Sequence, residues 1–140
     1  MTDPTLFDHF VQAQDDVYAT VISELSAGDK ETHWMWFVFP QIQGLGTSPL
    51  AERYALASVQ QASEYLTHPI LAERLVQCSE LLLSHTTLTA HQILGNPDDL
   101  KLKSCMTLFE LCESGEAVFS KVLEQFFRGQ QCQHTLTFKA

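Results

Sequence analysis

The sequence predicts a mainly α-helical protein that folds as a single compact multi-helix domain over residues 1–140. Three observations support this fold class. Apolar residues recur at spacings of three and four along most of the chain, which is the period of an amphipathic helix. Pairs in which a capping residue precedes proline, a helix-start signal, occur at Ser48-Pro49, His68-Pro69 and Asn96-Pro97. The connections are short, and no repeat or low-complexity linker divides the chain.

The N-terminal part is predicted to form two helices. Asp3-Pro4 combines a cap with proline at the first helical position and begins a short helix that runs through Phe10. A second helix begins at Asp15 or Asp16, and its apolar face contains Val17, Val21 and Leu25. Gly28 follows this helix, where a left-handed residue commonly ends one.

Three helices are predicted for the middle of the chain. Ser48-Pro49 begins a helix that runs to about Ala57, and Ser58 with Gln61 resembles a capping box for a helix that ends near Thr67. The pair His68-Pro69 begins the third helix. Its apolar stripe has spacings of four, three and four and contains Leu71, Leu75, Cys78 and Leu82.

The C-terminal part is also predicted to be helical. A short helix over Thr89–Leu94 is closed by Gly95, and Asn96-Pro97 begins the next helix. The buried stripe of that helix is predicted to contain Leu102, Cys105, Met106, Phe109 and Cys112. Ser114 is predicted to cap the last long helix, whose apolar face contains Val118, Phe119, Val122, Leu123 and Phe126. The tail after Gly129 fits either a short helix or an extended piece.

Charge and hydropathy limit the classes of partner. The net charge of −9 comes from 17 acidic and 8 basic residues, and the longest basic cluster is Lys101–Lys103. Non-specific nucleic-acid binding depends on clustered Lys and Arg, so we do not expect it. No apolar run is long enough to span a bilayer, so we expect no membrane partner.

Cysteine and histidine spacing predicts neither disulfides nor a metal site. The four cysteines lack a Cys-x-x-Cys pair, and the start of the chain lacks the basic and apolar regions of a signal peptide. We therefore expect reduced, mostly buried cysteines in a cytoplasmic protein. The six histidines show no metal-ligand spacing, and no cofactor is predicted.

The segment from His33 to Ser48, HWMWFVFPQIQGLGTS, is the strongest candidate for a functional site. It contains both tryptophans of the chain and places an aromatic wall beside a glycine-containing loop. Apolar side chains would occupy both faces of residues 34–39 if the segment were extended. A fully buried strand and a short buried helix both fit this pattern. We favour a short helical or irregular segment, with a minor extended segment as the alternative.

The loop Pro40–Ser48 is a candidate phosphate site. Gly44 and Gly46 permit close backbone approach, and Ser48 caps a helix whose first N–H groups favour anions. A phosphate or diphosphate would sit there while Trp34 or Trp36 stacks on a flat ring. The loop matches neither a dinucleotide-binding fingerprint nor a P-loop. A tight connection with no ligand explains the glycines equally well.

Four further polar positions have both a functional and a structural interpretation. Glu52 is a candidate general base or stabiliser of an oxocarbenium ion, although a first-turn glutamate also complements the helix dipole. Tyr54 more often belongs to the core, and His68 either contacts a substrate or caps a helix. The stripe of Lys101, Ser104 and Thr107 is either solvated, which we favour for Thr107, or contributes Lys101 to a phosphate.

Four separated motifs, HWMWFVFPQIQGLGTS, RYAL, YLTHPILAERL and KLKSCMTLF, are characteristic in combination. Through them the chain resembles a family of small bacterial proteins known as domain of unknown function 1810, and the resemblance extends from Phe10 to Leu136. A wider resemblance is to the NADAR or YbiA-like superfamily, small and mainly helical domains linked to ADP-ribose and N-glycosidic chemistry. Glu52-Arg53-Tyr54 resembles the superfamily's Glu-His-Tyr signature, and residues 68–75 resemble its Ser-Pro-x-x-Ala segment.

Two departures separate the chain from the wider superfamily. Arg53 replaces histidine, and the segment 55–58 replaces the Gln-Ala-x-Lys pattern, so the lysine of that pattern is absent. If this lysine is catalytic in the relatives, the resemblance implies that another residue, such as Lys101, replaces it or that the activity differs. Fold transfers across such a distance better than chemistry does.

The first functional hypothesis is an enzyme that binds an ADP-ribose-like or nucleoside-phosphate ligand and hydrolyses an N-glycosidic bond. Glu52 and Lys101 are its predicted catalytic residues. The predicted ligand-binding residues are His33, Trp34, Gln41, Gly44, Gly46, Ser48, Tyr54, His68 and Ser104. Within the aromatic segment, Trp36, Phe37 and Phe39 are predicted to pack rather than to touch ligand. The alternatives are a non-catalytic nucleotide-binding or ADP-ribose-binding module and a homodimeric interaction protein.

Overall fold

Nine α-helices make up most of residues 5–138, which are the residues that the computed structural model describes. Their bounds are α1 Asp8–Ala27, α2 Met35–Val38, α3 Pro49–Arg53, α4 Val59–Tyr65, α5 Pro69–Leu83, α6 Ala90–Leu94, α7 Asp98–Glu110, α8 Val118–Phe127 and α9 Gln133–Phe138. The described residues contain no strand, only an isolated bridge between Ile42 and Leu56. The prediction of a mainly α-helical protein is therefore confirmed.

Helix α7 lies at the centre of the packing. It contacts α4, α6, α8 and α9, while α5 joins α1 to α8 and α2 packs on α1. Residues 104–109 of α7 are all buried, which is expected of a helix surrounded by others rather than one lying at a surface. None of the described helices is long and apolar enough to cross a membrane.

The predicted start signals in the middle of the chain are confirmed by their hydrogen bonds. Ser58 Oγ accepts the Gln61 N–H at 3.1 Å, and Thr89 with Gln92 forms a complete capping box on α6. His68 Nδ1 accepts the N–H groups of Ile70 and Leu71 at 3.3 Å each. Gly28 ends α1 with a φ of 71°. The predicted α5 stripe is buried in full.

Two predicted boundaries in the first half of the chain are wrong. Helix α1 runs unbroken through Asp15 and Asp16 because no glycine or proline interrupts it, and Asp15 instead pairs with Arg74 at 2.8 Å. Helix α3 ends at Arg53, because the Leu56 N–H donates to the Gln41 carbonyl at 2.8 Å and draws the chain out of the helix. The predicted Asp3-Pro4 cap lies outside the described residues.

Three predictions for the second half also need correction. Helix α8 begins after Ala117, and Ser114 accepts only the Glu116 N–H in the preceding turn. Cys112 is half-buried rather than buried. Thr107, interpreted as solvated, is completely buried because α9 covers this face of α7. The tail, left open between two structures, forms helix α9.

The carboxylate of Glu24 connects the end of α1 to the turn that precedes α2. Its oxygens accept hydrogen bonds from the Glu31 N–H at 2.9 Å, the Thr32 N–H at 3.1 Å, the Thr32 hydroxyl at 2.7 Å and the Trp34 indole N–H at 2.9 Å. Burial alone would raise the pKa of Glu24. The four donors outweigh burial and lower the pKa to about 2.

We predict that Glu24→Gln lowers the free energy of unfolding by about 3 kcal/mol at neutral pH, because each pKa unit corresponds to about 1.4 kcal/mol. The folded pKa is below the ordinary value of 4.5, so this stabilisation is complete above pH 4.5 and is lost as the pH falls towards 2. Urea denaturation across this pH range measures it. Glu31→Gln is the control because the Glu31 side chain is exposed. Equal stability of the two variants would contradict the assignment.

Candidate functional site

A cleft of about 650 Å³ lies between the loop of residues 41–48 and the first half of α7. We call it the α7 cleft. Six of the predicted site residues line it, namely Gln41, Gly44, Gly46, Ser48, Lys101 and Ser104. Trp36 and His134 also line it, so segments distant in sequence meet there.

The loop of residues 41–48, which forms one wall of the cleft, is held by backbone hydrogen bonds and by close packing against α3. The Gln43 N–H donates to the Leu56 carbonyl at 2.8 Å, which holds the start of the loop. A Cβ atom on Gly46 would lie 2.5 Å from the Ala51 Cβ, so only glycine permits the loop to pack this closely on α3. Ser48 Oγ accepts the Ala51 N–H at 3.1 Å and caps α3, as predicted.

Lys101 carries the accessible positive charge of the cleft. Its Nζ lies 4.8 Å from the centroid of a Trp36 ring and 3.3 Å from Asp98 Oδ1. The other carboxylate oxygen of Asp98 pairs with Lys30 Nζ at 2.8 Å. Two ammonium groups therefore share one carboxylate, which leaves one excess positive charge. The Lys101 side chain is 23% exposed and that of Lys30 only 6%, so Lys101 is the cation that a ligand can reach.

The two tryptophans are placed opposite to the prediction. Trp34 is 1% exposed, and its indole N–H is bonded to Glu24, so it belongs to the core rather than to a ligand site. Trp36, predicted to pack, is half-buried and lines the cleft. The reason is the short helix α2: Met35 and Val38 occupy its buried side, and Trp36 lies on the other side.

Three other predicted ligand-binding residues lie outside the α7 cleft. His33 is exposed and is not among the residues that line it. Tyr54 is 8% exposed and packs on Phe10 and Phe37, with ring centroids 5.4 Å and 5.3 Å away. His68 caps α5. Tyr54 therefore has the core role, and His68 the capping role, that were the structural alternatives to ligand binding in the sequence analysis.

Glu52 lines a second groove that is formed partly by the same loop. This groove, of about 510 Å³, shares Gln41, Gly44, Gly46, Thr47 and Ala51 with the α7 cleft. The Glu52 side chain is exposed. Glu52 does not line the α7 cleft, and Lys101 does not line this groove. No group of three potential metal ligands occurs within residues 5–138.

Sequence reasoning missed Cys132, which lies directly before α9, and His134 in its first turn. Cys132 Sγ lies 3.1 Å from Ser104 Oγ, and the Cys132 N–H donates to Thr107 Oγ1 at 2.9 Å. Burial raises the pKa of the Cys132 thiol. Polar interactions with Ser104, Thr135 and His134 outweigh burial, and the net pKa of the thiol lies below the usual value. A separation of 28 residues between Ser104 and Cys132 leaves no local spacing signal.

Comparison with known proteins identifies the family but no activity. The profile of a family described as "Protein of unknown function (DUF1810)" matches residues 4–138. The fold is similar to the crystal structure of the conserved hypothetical protein Rv1873 from Mycobacterium tuberculosis, with a TM-score of 0.95, 43% identity and 98% of each chain covered. No curated protein matches the sequence. The chain therefore belongs to the DUF1810 family of proteins of unknown function, as its sequence motifs predicted.

Proposed function

We propose that the α7 cleft binds a small anionic ligand of the nucleoside-phosphate or ADP-ribose type. The observation that carries the proposal is the Lys101 ammonium, held between Trp36 and Asp98 and facing the glycine loop across the cleft. A chain of net charge −9 repels anions in general. The Lys101 ammonium is fixed and accessible, and the loop of residues 41–48 opposite it is uncharged. A single anionic group is therefore favoured at this position.

The walls of the cleft suit the two parts of a nucleotide. Gly44 and Gly46 carry no side chains, so phosphate oxygens can approach the backbone closely, and Ser104 lines the same cleft. Pro97, Leu100 and the Trp36 ring supply apolar surface for a base or ribose. The volume of about 650 Å³ falls within the range of small-molecule sites.

The wider NADAR-like relationship is part of the proposal and selects ADP-ribose as the first ligand to test. It rests on the segments Glu52-Arg53-Tyr54 and 68–75. Within this chain His68 and Tyr54 have structural contacts, so the ligand class is supported more by the α7 cleft than by those two residues.

Hydrolysis of an N-glycosidic bond is the second candidate function. It is favoured by the position of Glu52, an exposed carboxylate in a groove that adjoins the α7 cleft along residues 41–51. A ligand with a diphosphate at Lys101 and its far sugar across the loop would bring an anomeric carbon towards Glu52. The carboxylate would then stabilise positive charge that develops at that carbon.

We predict that Lys101→Met weakens ADP-ribose binding by about ten- to hundredfold, because a charged hydrogen bond contributes about 1.5–3 kcal/mol. Asp98 keeps Lys30 as its partner in this variant. Lys103→Met is the matched control, since Lys103 lies on the same helix and its ammonium is 6.0 Å from the Phe127 ring. Isothermal titration calorimetry measures both.

The binding proposal fails if the wild-type protein binds neither ADP-ribose nor AMP, or if the two lysine variants bind equally well. Light scattering before each titration tests the predicted homodimer. If the protein is a dimer that must dissociate before it binds ligand, the interaction-protein alternative is supported. Leu50 and Leu100 are exposed, so they are the first residues to substitute in a test of the dimer interface.

We predict that the fluorescence response to ADP-ribose arises from Trp36. The Trp34→Phe variant should keep a ligand-dependent emission change, although it loses the bond to Glu24 and unfolds more easily. The Trp36→Phe variant should lose the change, because the remaining indole is buried away from the cleft. Titration at a temperature where both variants are folded measures this. A response that persists in Trp36→Phe would place the ligand elsewhere.

We predict that Glu52→Gln leaves ADP-ribose binding unchanged within about twofold. The side chain does not line the α7 cleft, and an exposed substitution of this kind has little effect on stability. If the protein hydrolyses the N-glycosidic bond of ADP-ribose-like conjugates, the same variant loses turnover. Product formation is followed by mass spectrometry. Hydrolysis that continues in Glu52→Gln would remove Glu52 from the mechanism, while binding without any product would favour the non-catalytic module.

A further inference from the structure

Two of the four free cysteines are half-buried, and their surroundings differ in kind. Cys112 Sγ lies 3.5 Å from the Leu108 carbonyl oxygen and 3.8 Å from that of Val59, so it donates to acceptors. Acceptors favour the protonated thiol, and burial raises the pKa of Cys112 by more than the Ser63 side chain lowers it. At Cys132 the balance is reversed. Its Sγ lies 3.1 Å from Ser104 Oγ, and the Ser104 and Thr135 side chains and the N–H groups of His134 and Thr135 lower its pKa by more than burial raises it.

These donors stabilise a thiolate without help from a charged partner. Burial raises the pKa of Cys132, and the hydrogen bonds lower it by more than burial raises it. Apart from Cys105, the titratable side chains of α7 and α9 are Asp98, Asp99, Lys101, Lys103, Glu110 and His134. None of them forms a side-chain hydrogen bond or an ion pair with the sulfur. The Cys132 thiolate is therefore stabilised by neutral hydroxyl and N–H groups rather than by a neighbouring charge.

Thr135 provides a separate observation at the same place. Its side chain is completely buried, and Oγ1 has no hydrogen-bond partner among the described residues. The same side chain is one of the groups that lower the pKa of the Cys132 thiol. A neutral thiol is a weak acceptor, and negative charge on the sulfur would offer this buried hydroxyl a stronger one.

The thiol also lies at the edge of a cleft that a small molecule can enter. Ser104, which contacts the sulfur, and His134, two residues after it, both line the α7 cleft. The bond from the Cys132 N–H to Thr107 Oγ1 fixes the backbone at this position, and Thr107 is itself bonded to the Lys103 carbonyl. The sulfur is thus held beside the cleft by helix α7.

We propose that Cys132 is a nucleophilic thiol site that accepts a low-molecular-weight disulfide by thiol–disulfide exchange. The Cys132 thiolate attacks one sulfur of the disulfide, a new S–S bond forms, and the other sulfur leaves as a thiolate. The disulfide is the oxidant, so electrons and atoms balance. Cys78 and Cys105 are buried, and Cys112 faces Val59, so no second thiol of the described chain is placed to displace the adduct.

We predict that glutathione disulfide at neutral pH adds one glutathione per chain and that peptide mapping by mass spectrometry places it on Cys132. Cys132→Ser should take up none. Cys112→Ser is the matched control, because it removes the other half-buried thiol, and it should be modified like the wild type. Modification at Cys112 before Cys132, or no adduct on folded wild-type protein, would overturn the proposal. This test uses no nucleotide, so its outcome is independent of the proposed ligand binding.

A second measurement separates an activated thiol from one that is merely exposed. The rate of iodoacetamide alkylation at Cys132 should follow an apparent pKa lower than that at Cys112, so Cys132 reacts several times faster at neutral pH. Ser104→Ala and Thr135→Val each remove one donor and should raise the apparent pKa at Cys132 while leaving Cys112 unchanged. Circular dichroism verifies the fold of each variant. If neither folded variant raises that pKa, the donors do not activate Cys132 and the proposal is wrong.

Discussion

The buried carboxylate of Glu24 is the constraint on which the geometry of the α7 cleft depends. A charged group in the core is tolerated only when its oxygens are hydrogen-bonded, and four donors from residues 31–34 satisfy this one. The indole N–H of Trp34 is among them, which fixes the residue directly before α2. Because Met35 and Val38 then enter the core, Trp36 has to face outwards, towards α7.

The same turn also connects the core to the electrostatics of the cleft. The Lys30 backbone N–H donates to the Ile93 carbonyl at 2.7 Å, and its ammonium lies over Trp34 and beside Asp98. Lys101 repeats this arrangement over Trp36 and beside the other oxygen of Asp98. Each tryptophan ring thus lies beneath one lysine ammonium, and the Asp98 carboxylate pairs with both ammonium groups. One carboxylate neutralises only one of the two positive charges, and Lys101 is the more exposed of the two lysines.

Most of the helical pattern could be predicted because it is encoded locally. The caps at Ser58, His68 and Thr89 act within three residues, and the α5 stripe depends only on spacing. The loop part of the candidate site could be predicted for the same reason, since Gly44, Gly46 and Ser48 are close in sequence. The opposite roles of Trp34 and Trp36 depend on Glu24, ten residues from Trp34. No pattern within the aromatic segment contains that information.

Helix α7 explains why the site was predicted only in part. Lys101, Ser104 and Thr107 follow one another at a spacing of three, so the sequence places them on one helix face but does not show how deeply each is buried. The structure instead divides it by depth. Lys101 reaches the cleft, Ser104 lies at its edge against the Cys132 sulfur, and Thr107 is completely buried beneath α9. One helix face therefore carries the cation of the proposed anion site, the hydroxyl that lies against the Cys132 sulfur and the hydroxyl that holds the Cys132 backbone. The proposed ligand site and the proposed thiol site are neighbours because all three side chains lie on this face of α7.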